Sequence, residues 1–364
     1  METAFLVIVI LVLLIVAHEF GHFLAAKMFG VRVDEFGVGY PPRAFLFGKW
    51  GGTEYTLNWI PFGGFVRLYG EDEKGQRGQG SLVDAPHWKQ AVILIAGVFV
   101  NALVALILFI FALHVGIPRV VDIAQPNKSA HLVVSDVIPG SPADAGGIVA
   151  GDEITAIIDM EGSNVIQPLT PAIVTGFVKT HPGDALQITY KRADAIKQTT
   201  ARPAQGVLRD NAGTPALGVG LVMVSIVSVP WSEAFIQAFP LAYSEFVQTL
   251  AGLGHIIMTA VSGNADLTQV VGPVGLASVV GEAAQNGLGQ ILMLAGLIGV
   301  NLAIINLIPI PVLDGGRLLV VIIEAILRRP APRLVLQILN TLGVALIILL
   351  MVTVTYHDIA RLLA

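Results

Sequence analysis

The chain has 364 residues, 54% of them hydrophobic and 13% charged, with a formal net charge of -5 and no cysteine. A soluble domain carries about a quarter charged residues, so this composition belongs in a bilayer. The lack of cysteine excludes disulfides, thiolate ligands and a cysteine nucleophile, which leaves His, Asp and Glu to hold any metal, and no block of like charge points to nucleic acid.

The first apolar stretch, residues 3–29, is longer than the roughly 20 residues of helix that cross a bilayer. It has no basic residue before Lys27 and runs past the length of a signal-peptide core, so it is expected to stay in the mature protein. Within it, His18-Glu19-Phe20-Gly21-His22 fits H-E-x-x-H. Helical spacing puts the two imidazoles one turn apart on one face, as a shared metal requires, with Glu19 as a general base. Ionisable groups inside an apolar span are costly unless paired, which makes them functional candidates. The plainer alternative is a pair of packing histidines partnered by Glu19. At about 1.5 Å per residue, His22 lies roughly 10 Å from the end of the span near Phe29, below the membrane surface.

Residues 53–70 hold two short β-like stretches flanking Pro61-Phe62-Gly63-Gly64. They are apolar enough to dip into the bilayer edge, but bare strand edges cannot face lipid, so such a hairpin must lie against protein or water; a plain cytoplasmic hairpin is the alternative. A second span follows at 91–115. Lys27, Arg32, Arg43, Lys49, Arg67, Lys74, Arg77 and Lys89 lie between the first two spans, and Arg328, Arg329 and Arg333 between the last two. By the positive-inside rule both connections are cytoplasmic, and both termini and residues 116–286 face outward.

From 118 to 224 the composition changes to that of a soluble α+β domain. Strands are expected at 131–137, 153–159, 186–191 and 216–222, with helices at 143–148 and 169–180 between turn signals such as Pro139-Gly140 and Pro182-Gly183. Phe235, Phe239, Phe246, Leu250 and Ile257 then recur at helical spacing, predicting an amphipathic helix over 233–262 on the membrane surface. A fifth crossing is the competing reading, but it would place His22 and Asp314 on opposite sides.

The third span, 291–327, is interrupted by Pro309 and Pro311, which break helical hydrogen bonding; a fourth covers 334–356. Broken helices at membrane depth are tolerated where they line a watery cavity. A catalytic zinc takes three protein ligands and leaves one position open. Asp314, just after the break, is the best candidate for the third ligand, and Gly315-Gly316 beside it would let backbone approach the metal or a substrate. The alternatives are that Asp314 caps the restarted helix, or that Glu324 is the ligand instead of pairing with Arg328-Arg329.

Two segments, Ile138-Pro139-Gly140-Ser141-Pro142-Ala143 and Ala150-Gly151-Asp152-Glu153-Ile154, resemble a PDZ domain, a module that takes an extended peptide or C-terminus as an added strand. The bland alternative is a spacer domain. Together with H-E-x-x-H and the Asn306 to Gly315 stretch, they make the chain resemble the site-2 protease family (M50) of intramembrane zinc metalloproteases, in particular the bacterial regulator-of-sigma-E protease group. Pro61-Phe62-Gly63-Gly64-Phe65 looks like that group's membrane-re-entrant β-loop. There are two departures: Ala96-Gly97-Val98 stands before Asn101 where the group has Ala-Gly-Pro, and a single PDZ-like domain is visible.

The resemblance implies a polytopic α-helical membrane protein with four transmembrane helices, one inserted α+β PDZ-like domain and a re-entrant β-hairpin. It would divide into an N-terminal membrane part (1–115), the PDZ-like domain (118–224) and a C-terminal membrane part (230–364). It implies Zn2+ on His18, His22 and Asp314, catalysis by Glu19, and substrate held by Asn306, Pro309, Pro311, Gly63 and Gly64. The implied substrates are single-span membrane proteins of anti-sigma factor or remnant signal peptide type, cut in regulated intramembrane proteolysis at a bacterial inner membrane. Two other classes remain: a PDZ-bearing membrane scaffold with a structural metal, and an ion transporter, for which no inverted repeat is evident.

Overall fold

The computed structural model describes residues 2–71, 78–121, 130–160, 165–192, 195–208, 213–262 and 272–363. Lys74 and Arg77, which entered the charge argument, lie outside them. The chain forms two compact units, one made of residues 1–115 with 229–364 and the other of residues 116–228.

The first unit opens with α1 (Glu2–Met28), continues through β1 (Val33–Trp50) and β2 (Thr53–Leu68), and then enters α2 (His87–Val115). Both helices are runs of Leu, Ile, Val, Ala and Phe without proline. In lipid only a helix satisfies such a backbone from within. Close approach of the two depends on glycine, because a Cβ on Gly21 would collide with the Ala96 carbonyl, and small residues are what allow helix backbones to meet.

The β segment differs from the hairpin expected at 53–70. β1 and β2 turn at Gly51-Gly52, and the register makes residues 35–38 of β1 pair twice. Phe36 stands opposite both Val66 and Tyr55, and Val38 opposite both Gly64 and Leu57. Residues 43–50 pair with 53–58 in addition. The two stretches flanking Pro61 to Gly64 are therefore separated by a pass of β1 and do not pair with each other. Glu35, buried in this sheet, is satisfied by Thr56 (2.8 Å), Arg43 (3.0 Å) and Arg67 (3.1 Å).

The second unit is a six-stranded antiparallel sheet built from β3 (Ile117–Val120), β4 (His131–Val137), β5 (Glu153–Asp159), β6 (Leu186–Arg192), β7 (Ala195–Ala201) and β8 (Val219–Val227), in the order β3-β8-β4-β5-β6-β7. Among the described residues two short helices accompany it, α3 (Pro142–Ala145) and α4 (Pro171–Thr180). Each starts on a proline behind a hydroxyl cap, Ser141 or Thr170, as helix starts favour. Leu132, Val134, Ile157, Val174, Leu186 and Ile188 form its core. The sheet reaches beyond 118–224 because β3 pairs with the far end of β8. The strand expected at 216–222 is shifted to 219–227, since Ala216 bridges to Ala204 instead.

The chain then returns to the first unit with α5 (Trp231–Val261), α6 (Pro273–Gln285), α7 (Leu288–Leu307), α8 (Asp314–Leu327) and α9 (Arg333–Leu363). α5 packs on α2 and α7 through its small side, with Ala234 and Ala238 fully buried. Its aromatic stripe of Phe235, Phe239 and Phe246 is left exposed, and Thr249 donates to Asn301 of α7 at 2.7 Å. α7 meets α2 at Gly296 and Gly299, which lie against Phe109 and Ala105. Asp358 of α9 accepts from the Gly272 and Gly275 amides at the start of α6 (3.2 and 2.8 Å).

Among the described residues, four helices are long and apolar enough to cross a membrane: Glu2–Met28, His87–Val115, Leu288–Leu307 and Leu334–Ala360. The third differs from the interrupted span expected at 291–327. α7 alone has 20 residues, about 30 Å of helix, and the break falls after it.

In the second unit, Asp152 is 1% exposed and takes a two-pronged ion pair from Arg192 (2.7 and 2.8 Å) plus the Val149 amide (2.9 Å). Asp152→Ala leaves a partly buried guanidinium without its partner and is expected to destabilise this unit by roughly 2–4 kcal/mol. Limited proteolysis of the full chain should then cut within 116–228 at much lower protease concentration.

Candidate metal centre

The H-E-x-x-H turn lies inside α1, and both its histidines are buried. Their rings meet edge to face, with centroids 4.7 Å apart. Asp314 arrives from the first turn of α8. Its Oδ2 lies 2.8 Å from His18 Nε2 and 3.3 Å from His22 Nε2, and the two nitrogens are 3.0 Å apart. One ligand atom from each of the three lies within 4.8 Å of the others. Two ligands at about 2.0–2.1 Å from a tetrahedral ion stand about 3.4 Å apart, so outward shifts of a few tenths of an ångström fit the cluster to one ion. Two imidazoles and a carboxylate are also a known catalytic zinc donor set.

The alternatives for these residues do not match the geometry. α8 is preceded by Leu313, and no side-chain hydrogen bond caps it; the Asp314 carboxylate faces the histidines. Glu324 accepts from the Ala331 amide at 2.7 Å, closing the turn after α8. Glu19 does not bridge the histidines; its Oε2 accepts the Val66 amide of β2 at 3.0 Å.

The segment before Asp314 is folded tightly. Pro309 and Pro311 interrupt the chain after α7, and Val312 has a φ of 90°, strained for a β-branched residue. A Cβ on Gly315 would strike the carbonyls of Leu307 and Ile308, and one on Gly316 that of Ile310. Both glycines thus serve the close packing of the break, and Gly343 of α9 admits the Pro311 carbonyl in the same way. Asn306 is half-buried on the last turn of α7, and Pro309 and Pro311 lie in the break itself. Gly63 and Gly64 are buried in the β2 bend, and Gly64 lies beside the Glu19 side chain.

Sequence reasoning did not assign several residues that the fold brings here. Ile93, Gly97 and Asn101 follow one another at helical-turn spacing on α2. The Ile93 carbonyl accepts from His22 Nδ1 (2.8 Å), Asn101 faces His18 Nδ1 (3.3 Å), and a Cβ on Gly97 would collide with both rings. α2 stays helical through Val98, the position where the sequence departs from the resembled pattern. Arg317, one turn along α8, pairs with Glu71, which also accepts the Leu68 amide at 3.2 Å. Asn101 was visible as a polar residue in an apolar span, but its partner was not.

The model of peptidase family M50 matches residues 6–350. The chain belongs to peptidase family M50. Similar curated proteins include a putative zinc metalloprotease of Clostridium perfringens, 32% identical over 348 residues, covering 95% of this chain and 95% of that one. The zinc metalloprotease RasP of Geobacillus kaustophilus is 27% identical over 440 residues, covering 99% of this chain and 98% of that one. Among solved structures, the PDZ domain of the SdrC-like protein from Listeria monocytogenes is 26% identical, covering 27% of this chain and 90% of that one with a TM-score of 0.21. This M50 member is a zinc metalloprotease.

Gly97→Ala tests how closely α2 backs the histidines. The added methyl must push at least one ring away, so zinc content, measured by mass spectrometry, is expected to fall about tenfold or more.

Proposed function

We propose that this M50 peptidase cuts the transmembrane segments of single-span membrane proteins, with His18, His22 and Asp314 holding Zn2+ and Glu19 as the catalytic base. The observation that carries the proposal is the meeting of Asp314 with both histidines of the H-E-x-x-H turn in a unit that has, among the described residues, four helices apolar enough to span a bilayer. Anti-sigma factors and remnant signal peptides are the substrate classes, and the setting is regulated intramembrane proteolysis at a bacterial cytoplasmic membrane.

Zinc bound there supplies Lewis-acid polarisation of the scissile carbonyl and makes water acidic enough to attack near neutral pH. Glu19 takes the attacking water's proton and passes it to the departing amine. A helical substrate hides its carbonyls in hydrogen bonds, so the segment must be extended before it is cut. The pass of β2 at 64–68 lies next to Glu19, whose carboxylate holds the Val66 N–H. A substrate strand added at this edge takes over that N–H while Glu19 turns to its water. Gly63 and Gly64 let this edge come close, and Asn306, Pro309 and Pro311 hold the other side of the opened segment.

The distribution of Lys and Arg supports a topology with both termini and residues 116–228 outside the cytoplasm. There the PDZ-like unit acts as a size filter or as a docking site for an extended peptide or C-terminus, excluding proteins with intact bulky ectodomains.

The test is cleavage of a tagged single-span substrate by the purified full chain in detergent. Glu19→Gln is expected to keep zinc and lose about 10²- to 10⁴-fold in rate, and chelation should stop the wild type until zinc is restored. Cleavage that persists in Glu19→Gln would contradict the assignment of the base; cleavage that survives chelation would contradict the metal.

A further inference from the structure

In zinc sites a ligating imidazole gives one ring nitrogen to the metal and donates the N–H of the other to an oxygen, which fixes its tautomer and orientation. His22 has such a partner. Its Nε2 faces Asp314 and its Nδ1 lies 2.8 Å from the Ile93 carbonyl. His18 also turns Nε2 to Asp314, and its Nδ1 lies 3.3 Å from the Asn101 side-chain amide. One face of α2 therefore backs both rings, by a main-chain oxygen at Ile93 and a side chain at Asn101.

We propose that Asn101 is a positioning residue for His18, whose Oδ1 accepts the Nδ1–H and holds the imidazole in the tautomer with a bare Nε2 for zinc. Asn101 is 0% exposed in the middle of a candidate span. As oriented, its Nδ2 faces the imidazole and its Oδ1 has no hydrogen-bond partner among the described residues. That orientation asks Nδ1 to accept, which puts the ring proton on Nε2, where the metal must bind. A half-turn of the amide exchanges nitrogen and oxygen at nearly the same positions and presents an acceptor to Nδ1–H. Zinc on Nε2 selects this second orientation. In the orientation given, the end of the amide turned away from His18 has no partner among the described residues, and its one contact is to the imidazole. The amide serves the ring it faces.

The inference rests on the proposed assignment of zinc to His18, His22 and Asp314, and the experiment separates the two. Zinc affinity of the metal-free full chain in detergent is measured by chelator competition, alongside the visible spectrum of the Co2+-loaded protein and the melting temperature of the metal-free form. Asn101→Leu is expected to weaken zinc binding about 10- to 100-fold and alter the Co2+ spectrum, with metal-free melting unchanged or raised. Asn101→Asp keeps an acceptor on Nδ1 and should bind zinc at least as well as wild type to within a few-fold. Wild-type affinity in folded Asn101→Leu, or equal losses in both variants, overturns the role of Asn101. If leucine prevents folding, Asn101→Ala is judged by the same criterion. Zinc affinity unchanged by His18→Ala would overturn the metal centre itself.

Discussion

A single carboxylate oxygen holds the centre together. Asp314 Oδ2 stands 2.8 Å from a histidine nitrogen 296 residues earlier in the chain and 3.3 Å from a second histidine on the same helix. A carboxylate among apolar helices is costly unless it is paired or bound to a metal. The chain provides this pairing by stopping a membrane-length helix, folding the backbone through two prolines and a strained Val312, and restarting α8 with Asp314 in its first turn. The break is what aims the carboxylate.

The parts around this contact explain one another. α1 supplies the two imidazoles and Glu19, α2 backs the imidazoles from one face, and β2 takes the Glu19 carboxylate on the Val66 amide. Glu71, just past the end of β2, pairs with Arg317 and so ties the sheet to the helix that carries Asp314. Glycines sit where these segments come closest: Gly97 under both rings, Gly21 against α2, and Gly315 and Gly316 within the break. The arrangement brings the Glu19 carboxylate, the cluster of two imidazoles with Asp314, and a strand edge within a few side-chain lengths.

How much of this was legible in the sequence depended on how local the signal was. H-E-x-x-H is a one-turn pattern, so its geometry follows from helical spacing alone. Asp314 stood out as a carboxylate behind two prolines, although only the fold shows that it faces the histidines rather than capping α8. The β segment was half read: the stretches on either side of Pro61 to Gly64 are strands, but the partner lying between them is residues 35–38. No strand was expected at 33–50, where Gly37, Gly39 and Pro41-Pro42 interrupt the apolar alternation, and register between distant strands leaves no local trace. The Phe stripe of α5 marked an apolar face correctly, yet the side that packs on protein is the one with Ala234 and Ala238. The backing of His18 by Asn101 was illegible because it joins residues 83 positions apart.

X-ray absorption at the zinc edge of the purified protein tests the centre most directly. The account requires a zinc with two imidazole nitrogens at about 2.0–2.1 Å, the remaining ligands oxygen at about 2.0–2.2 Å, and loss of one oxygen ligand of protein origin in Asp314→Ala. A spectrum with fewer than two imidazoles, or one that Asp314→Ala leaves unaltered, would contradict it.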